Sequence, residues 1–280
     1  MPSERVILIT GCSSGIGRAT AIEAAARGHR VFATARNPET LRDLESRGQI
    51  RTLALDVTDA ASIRDAVASV LAEAGQVDAL VNNAGYGQYG AAEDVTAEEW
   101  KRQFDVNLFG AIEAARAVLP AMREKRRGTI VNVSSVAGKI AIPFAAPYCA
   151  SKHALEAFSD ALRIEVAPFG IRVAVIEAGP IETRFGDRAR ASVARLIASP
   201  GPYSLFYRNA ERAMDTDFQA GKLPPEAVAR VVVEAIEAAN PKTRYRITRL
   251  ARALILLKRF LPDRFFDRRM KKVLKLPDRV

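Results

Sequence analysis

Val6-Ile7-Leu8-Ile9-Thr10-Gly11-Cys12-Ser13-Ser14-Gly15-Ile16-Gly17 stands near the start of the 280-residue chain. Residues 6–10 form an aliphatic, β-branched run of strand length. An Ala-rich segment with helical period follows over residues 18–27. Between the two, glycines spaced Gly-x3-Gly-x-Gly permit a tight turn and a close approach of backbone to a pyrophosphate. The helix behind them offers free N–H groups and the positive end of its dipole. This spacing differs from the commoner Gly-x-Gly-x2-Gly, and a glycine-rich β-to-α connection can exist without a ligand. The strand before it and the helix after it favour a nucleotide. Gly11, Ser13, Ser14, Gly15, Ile16 and Gly17 are therefore the candidate cofactor cradle.

The same strand-then-helix rhythm continues along the chain. Residues 30–35, 50–55, 79–82, 129–133 and 172–176 are short aliphatic runs, and residues 62–74 have helical period. Apolar strands separated by helices predict a parallel sheet covered on both faces, a doubly wound α/β (Rossmann) fold in a single domain. The rhythm breaks over residues 181–223, a mixed stretch that carries Phe185, Tyr203, Phe206, Tyr207, Met214 and Phe218 and is closed by Pro224-Pro225. That stretch predicts an inserted substrate lid. A helix over about residues 225–237 and a strand near 245–247 complete a catalytic domain of residues 1–247. Residues 248–280 are predicted to form a basic, amphipathic helical extension.

With 49% hydrophobic and 26% charged residues the composition is ordinary for a globular protein, which excludes disordered and fibrous classes. No apolar run approaches the roughly 20 residues of a membrane span. Cys12 and Cys149 support neither a disulfide framework nor a metal cluster, and His29 and His153 have no metal-like partners in sequence, so no metal is expected. The apolar stretch at the N-terminus is too short for a secretory signal, and the expectation is a cytoplasmic protein. The net charge of +10 is unevenly placed: from residue 240 onward fourteen Lys and Arg stand against three Asp. This tail reads first as a solvated helix pair packed on the domain or on a neighbouring subunit. Its second reading is a membrane-surface helix, giving peripheral membrane contact. No recognition motif for nucleic acid accompanies the charge.

The second strand ends Ala33-Thr34-Ala35-Arg36-Asn37. An NAD site places a carboxylate at this strand end, to accept from the ribose hydroxyls. Here Ala35 takes that place and Arg36 follows, and a guanidinium matches the 2′-phosphate of NADP. NADP(H) is favoured over NAD(H).

Tyr148 and Lys152 lie four residues apart in a helical stretch and so share one helix face. An ammonium beside a phenol favours the phenolate, lowering its pKa toward neutrality. Such a tyrosine can donate or accept a proton. Ser134-Ser135 end the run 129–133, at the sheet edge where doubly wound folds bind ligands. A hydroxyl there could hydrogen-bond a substrate carbonyl.

Taken together, Thr10-Gly-x3-Gly-x-Gly17, Asp56-Val57, Asn82-Asn83-Ala84-Gly85, Asn107, Ser135, Tyr148-x3-Lys152 and Gly179-Pro180-Ile181-Glu182-Thr183 resemble the short-chain dehydrogenase/reductase family, nearest its hydroxysteroid and retinol dehydrogenase branch. The resemblance implies roles. Tyr148 would be the general acid in reduction and the base in oxidation. Lys152 would lower its pKa and bind the nicotinamide ribose, and Ser135 would polarise the carbonyl. Asn107, within a helix, would hold a water linking Lys152 to solvent. Asp56 and Val57 would contact the adenine, and Asn83, Ala84 and Gly85 would line the cofactor. Gly179 and Ile181 would join that lining, and Thr183 would hold the carboxamide. Ala178 replaces the proline common before Gly179. The resemblance also implies a homodimer or homotetramer acting on a small lipophilic carbonyl or alcohol. The alternatives are a cofactor-sensing binding protein without turnover and a membrane-surface scaffold.

Overall fold

The computed structural model describes residues 4–198, 201–209 and 222–273. Met214, Phe218 and residues 274–280 lie outside them. Strands β1 (Val6–Ile9), β2 (Arg30–Ala35), β3 (Ile50–Ala54), β4 (Ala79–Asn82), β5 (Gly128–Ser135), β6 (Ile171–Ala178) and β7 (Arg244–Arg246) form one sheet in the order β3-β2-β1-β4-β5-β6-β7. Every pairing is parallel. β1 is buried throughout, so both of its faces need cover. Ile7 and Ile9 meet one apolar layer with Ala21, Ala24, Val228 and Val232. Val6 and Leu8 meet the other, with Val67, Val70, Ala114 and Val118. The period of two along the strand is thus converted into two cores, one on each side of the sheet. This is the doubly wound arrangement the sequence predicts.

Helices α1 (Gly15–Ala26), α2 (Ala60–Ala74), α4 (Gly110–Glu124) and α5 (Ala146–Val166), with the later helix Pro225–Glu237, supply the cover. Their ends follow local chemistry. Asp59 accepts from the Ala61 N–H ahead of α2, and Gly75 closes that helix in the left-handed conformation. Thr96 and Glu99 form a reciprocal capping box at the start of α3 (Ala97–Phe104). Between α3 and α4 the chain makes a π turn over Asp105–Phe109 rather than an ordinary helical one.

The chain fills the sheet from β1 to β3 in one direction, then crosses back to lay β4 on the other side of β1. A crevice opens at such a reversal, outside the carboxyl ends of the strands. The stretch after β6 leaves and rejoins the domain at one point. Ile181 bridges Leu223, the Glu182 N–H donates to the Leu223 carbonyl at 3.0 Å, and the Leu223 N–H donates to Pro180 at 3.2 Å. Within the stretch lie α6 (Phe185–Ile197) and helical residues 204–209. β7 joins the sheet edge through buried Glu177, which pairs with Arg244 at 3.2 Å and Arg246 at 2.7 Å. Helices Arg249–Phe260 and Asp263–Val273 follow.

Candidate active site

The glycine-rich turn is held by its neighbours' backbone. Gly11 has φ +75°, and a Cβ there would stand 2.8 Å from the Ala84 Cα. A Cβ on Gly17 would stand 2.3 Å from Asn83 Nδ2 and 2.6 Å from the Gly11 carbonyl. Only glycine meets both demands. Asn83 Nδ2 donates to the carbonyls of Thr10 at 2.9 Å and Gly11 at 3.0 Å. Thr10 Oγ1 in turn accepts from the N–H groups of Asn83 at 3.0 Å and Ala84 at 3.1 Å. The segment after β4 therefore braces the turn after β1.

α1 starts just beyond. Ser14 precedes it in extended conformation and its side chain makes no capping bond, which leaves the first-turn N–H groups to an outside acceptor. Ser13, Ser14, Gly15, Arg18, Thr183 and Pro225 line a crevice of about 810 Å³ here. An open helix N-terminus beside glycines whose missing side chains give backbone access fits a dinucleotide pyrophosphate. Arg18 is already committed, paired with Asp43 and donating to the Thr40 carbonyl at 3.4 Å. Arg36 lies exposed just past β2, and among the described residues it makes no ion pair.

The other predicted cofactor contacts gather at the same sheet edge in different ways. Asp56 accepts from the Thr58 N–H at 2.9 Å and the Thr58 hydroxyl at 2.8 Å. Val57 packs so closely on Gly110 that an added Cβ would stand 2.6 Å from the Val57 carbonyl. Thr183 reaches across to the glycine turn, its methyl 3.0 Å from where a Gly15 Cβ would stand, and accepts from the Phe185 N–H at 3.3 Å. Gly179 has a different cause: a Cβ there would stand 2.1 Å from Thr248 Oγ1. Ile181 is half-buried against the apolar layer of α1 while it bridges Leu223.

Ser135 closes β5, which runs two residues past the expected end and takes in Ser134 as well. Its hydroxyl accepts from the Ala137 N–H at 3.1 Å and lies beside the Tyr148 phenol, whose ionised form it favours. Tyr148 is buried between two rings, Phe185 at 5.2 Å and Tyr89 at 6.3 Å between centroids. Lys152 is buried one turn further along α5, and its ammonium donates to the Val133 carbonyl at 2.8 Å.

The electrostatics correct one expectation. The Tyr148 phenol is pushed up to about 12, not down, because burial penalises the phenolate; the Ser135 hydrogen bond opposes this. The Lys152 ammonium is turned to Val133. Burial brings it down to about 8, opposed by the Glu156 carboxylate.

Asn107 lies in the π-helical turn between α3 and α4, and its side chain is bonded at both ends. Oδ1 accepts from the Tyr86 N–H at 3.0 Å, while Nδ2 donates to the Tyr86 carbonyl at 2.9 Å and to Ser151 Oγ at 3.2 Å. Ser151 donates to the Tyr148 carbonyl at 2.8 Å. Asn107 is therefore first a brace between the segment after β4 and the helix of Tyr148. A Cβ on Gly85 would stand 3.2 Å from Asn107 Oδ1 and 3.7 Å from Lys152 Nζ, so Gly85 keeps these groups together.

Sequence reasoning misses Ser151, Glu156 and the Val133 carbonyl. Glu156 has a usable signal, since it lies four residues after Lys152 on the same helix face. It also pairs with Lys139 at 2.8 Å and Arg244 at 3.0 Å.

A hydroxyl and a phenol thus stand together at the end of β5, with a buried ammonium one turn along α5, a set that can polarise a carbonyl and hand it a proton. Known proteins share this plan. A 3-ketodihydrosphingosine reductase of Bacteroides thetaiotaomicron is 36% identical over 92% of this chain and 94% of its own length. An NADPH-dependent 3-dehydrocapnine reductase of Ornithobacterium rhinotracheale is 33% identical over 97% and 98%. The crystal structure of a short-chain dehydrogenase from Streptomyces avermitilis is 34% identical, covers 98% of both chains and superposes with a TM-score of 0.81. The sequence profile described as short chain dehydrogenase matches residues 5–194, and the chain belongs to that family of nicotinamide-dependent oxidoreductases acting on carbonyl or alcohol groups.

Proposed function

We propose that this oxidoreductase works as an NADP(H)-dependent reductase of bulky, lipophilic carbonyl compounds. The observation that carries the reading is the burial of the Tyr148 phenol between Phe185 and Tyr89 with its oxygen on Ser135. A phenol pushed up to about 12 is protonated at neutral pH. It can give that proton to an alkoxide developing on the substrate, while the reverse oxidation needs the phenolate.

The crevice residues would hold the dinucleotide: the α1 N-terminus and the turn Gly11–Gly17 the pyrophosphate, Asp56 and Val57 the adenine, Thr183 the carboxamide and Lys152 the nicotinamide ribose. When bound, the reduced nicotinamide supplies hydride. Ser135 donates to the substrate carbonyl oxygen, and Tyr148 protonates that oxygen as negative charge develops on it. Lys152 is held in place by the Val133 carbonyl, one turn of α5 beyond Tyr148. Asn107 and Ser151 keep the tyrosine-bearing turn of α5 in register.

NADP is supported by the exposed Arg36, which makes no ion pair among the described residues, and by Ala35 standing where an NAD site needs a carboxylate. The relative named as NADPH-dependent agrees. The lipophilic substrate is supported by the aromatic mouth, where Phe144, Tyr203, Phe206 and Tyr207 pack together beyond Tyr89. The test is consumption of NADPH against NADH with a panel of long-chain ketones and aldehydes. Tyr148→Phe is expected to lower kcat by about 10³-fold or more while NADPH still binds. Near-normal turnover in that variant would remove the phenol from the reaction. Arg36→Ala is expected to weaken NADPH binding by about tenfold and to leave NADH unaffected.

A further inference from the structure

We infer that the helix pair Arg249–Phe260 and Asp263–Val273 is a docking surface for an anionic phospholipid bilayer, and that it holds the substrate mouth against that surface. The first half stands on the tail alone. The second rests on the catalytic reading above.

The pair has one anchored side and one bare side. Ala251 and Phe266 are buried, and the first helix packs on β7 and on Val136–Gly138. Lys258 pairs with Asp263 and lies over the Phe266 ring at 5.1 Å, which ties the two helices together. On the bare side large apolar side chains face solvent: Leu256 is 56% exposed, Leu257 38%, Phe260 74% and Phe265 50%. Monomeric surfaces rarely leave such a group clustered without a partner.

Charge selects the partner. Arg252, Arg259, Arg264, Arg268 and Arg269 are exposed among these apolar groups, and the Arg259 guanidinium lies 6.0 Å from the Phe260 ring centre. The acids in the two helices are Asp263, already paired with Lys258, and Asp267. A second copy of this face would bring like charge to like. A nucleic acid would meet the charge but give Leu256, Leu257 and Phe260 nothing apolar to enter. An anionic bilayer satisfies both, taking rings and aliphatic chains into the headgroup boundary and guanidinium groups among the phosphates. The helices are 12 and 11 residues long, and no helix among the described residues is long and apolar enough to cross a membrane, so the pair lies on the surface.

Position gives the docking its use. Thr248, which caps the first helix through the Ala251 N–H at 3.0 Å, packs on Gly179 after β6. That helix also packs on Val136–Gly138, directly after Ser135. The docking face therefore leaves from the same sheet edge as the reacting groups.

The test uses the full chain and flotation with vesicles of phosphatidylcholine, with or without about one-third phosphatidylglycerol. Binding is expected only to the anionic vesicles, with release at high salt. Phe260→Ser combined with Phe265→Ser is expected to weaken that binding by at least about tenfold and to leave turnover of a small water-soluble carbonyl unchanged. Equal flotation with neutral vesicles, no flotation, or full binding by the double variant overturns the docking surface. So does self-association that the double variant abolishes in a chain that ignores vesicles. Flotation needs no turnover, so an inactive chain that still binds vesicles sinks the catalytic reading and spares the docking. For the second half, the double variant should lose activity toward a ketone embedded in anionic vesicles and keep it toward the soluble one. Equal activity on both overturns that half.

Discussion

At the phosphate turn the chain grips itself by its backbone: Asn83 bonds two carbonyls, Thr10 accepts two N–H groups, and glycines stand where a methyl group would collide. Around the phenol the grip is made of rings, with Tyr148 between Phe185 and Tyr89 and Phe144 against Tyr203, Phe206 and Tyr207. Backbone geometry admits one residue type at a position. Ring packing admits several of similar volume. The first region suits a ligand that never changes, the second a substrate that differs from one relative to the next.

The sharpest way to break this contrast is Gly17→Ala. The new methyl would meet the Gly11 carbonyl and displace Asn83, so NADPH affinity should fall by about 100-fold, with a stability loss of about 1–3 kcal/mol. Fluorescence titration of NADPH checks the first figure and thermal unfolding the second. An unchanged dissociation constant would show that the turn yields as easily as the mouth does. The matching change at the mouth is Phe185→Ala. It should leave NADPH binding alone and shift kcat/KM between bulky and small carbonyls by about tenfold. It also uncovers the phenol, so the Tyr148 pKa should drop from about 12, and alcohol oxidation should begin at lower pH than in the unaltered enzyme.

Smaller effects sharpen the link between the two regions. Glu156 opposes the burial that lowers Lys152, so Glu156→Gln should bring the ammonium below about 8 and move the alkaline limb of the pH–rate profile to lower pH. A profile that stays in place while thermal stability falls would leave Glu156 only its pairs with Lys139 and Arg244. The smallest effect is on stability. Lys152 titrates near 8 in the folded chain against 10.5 ordinarily, so between those values the unfolded chain binds more protons. Stability should then rise with pH from about 8 to 10.5 relative to Lys152→Met, by no more than a few degrees in Tm. A constant difference between the two proteins across that window counts against a buried ammonium.

These differences also explain what the sequence discloses. The sheet is legible because strands buried on both faces read as aliphatic runs, and β1 is an unbroken one. The phosphate turn is legible because glycine spacing is a direct record of backbone demands. Tyr148, Lys152 and Ser135 are legible as residue types at set distances. What stays hidden comes from tertiary contacts. The carbonyl that holds Lys152 has no residue type of its own. The rings over Tyr148 come from distant stretches of chain, and their burial reverses the direction of its pKa. The π turn at Asn107 reads locally as ordinary helix, and the bonds of Asn107 to Tyr86 join residues 21 apart in sequence.

The bridge between Ile181 and Leu223 has an engineering consequence. Because the stretch between them departs and returns at neighbouring points, a chain of another length could be spliced there without moving the strands. Closing a loop twice as long costs only about 0.6 kcal/mol more. Exchanging residues 184–222 as a cassette among relatives, with Thr183 kept beside the glycine turn, is thus the economical route to new substrate ranges.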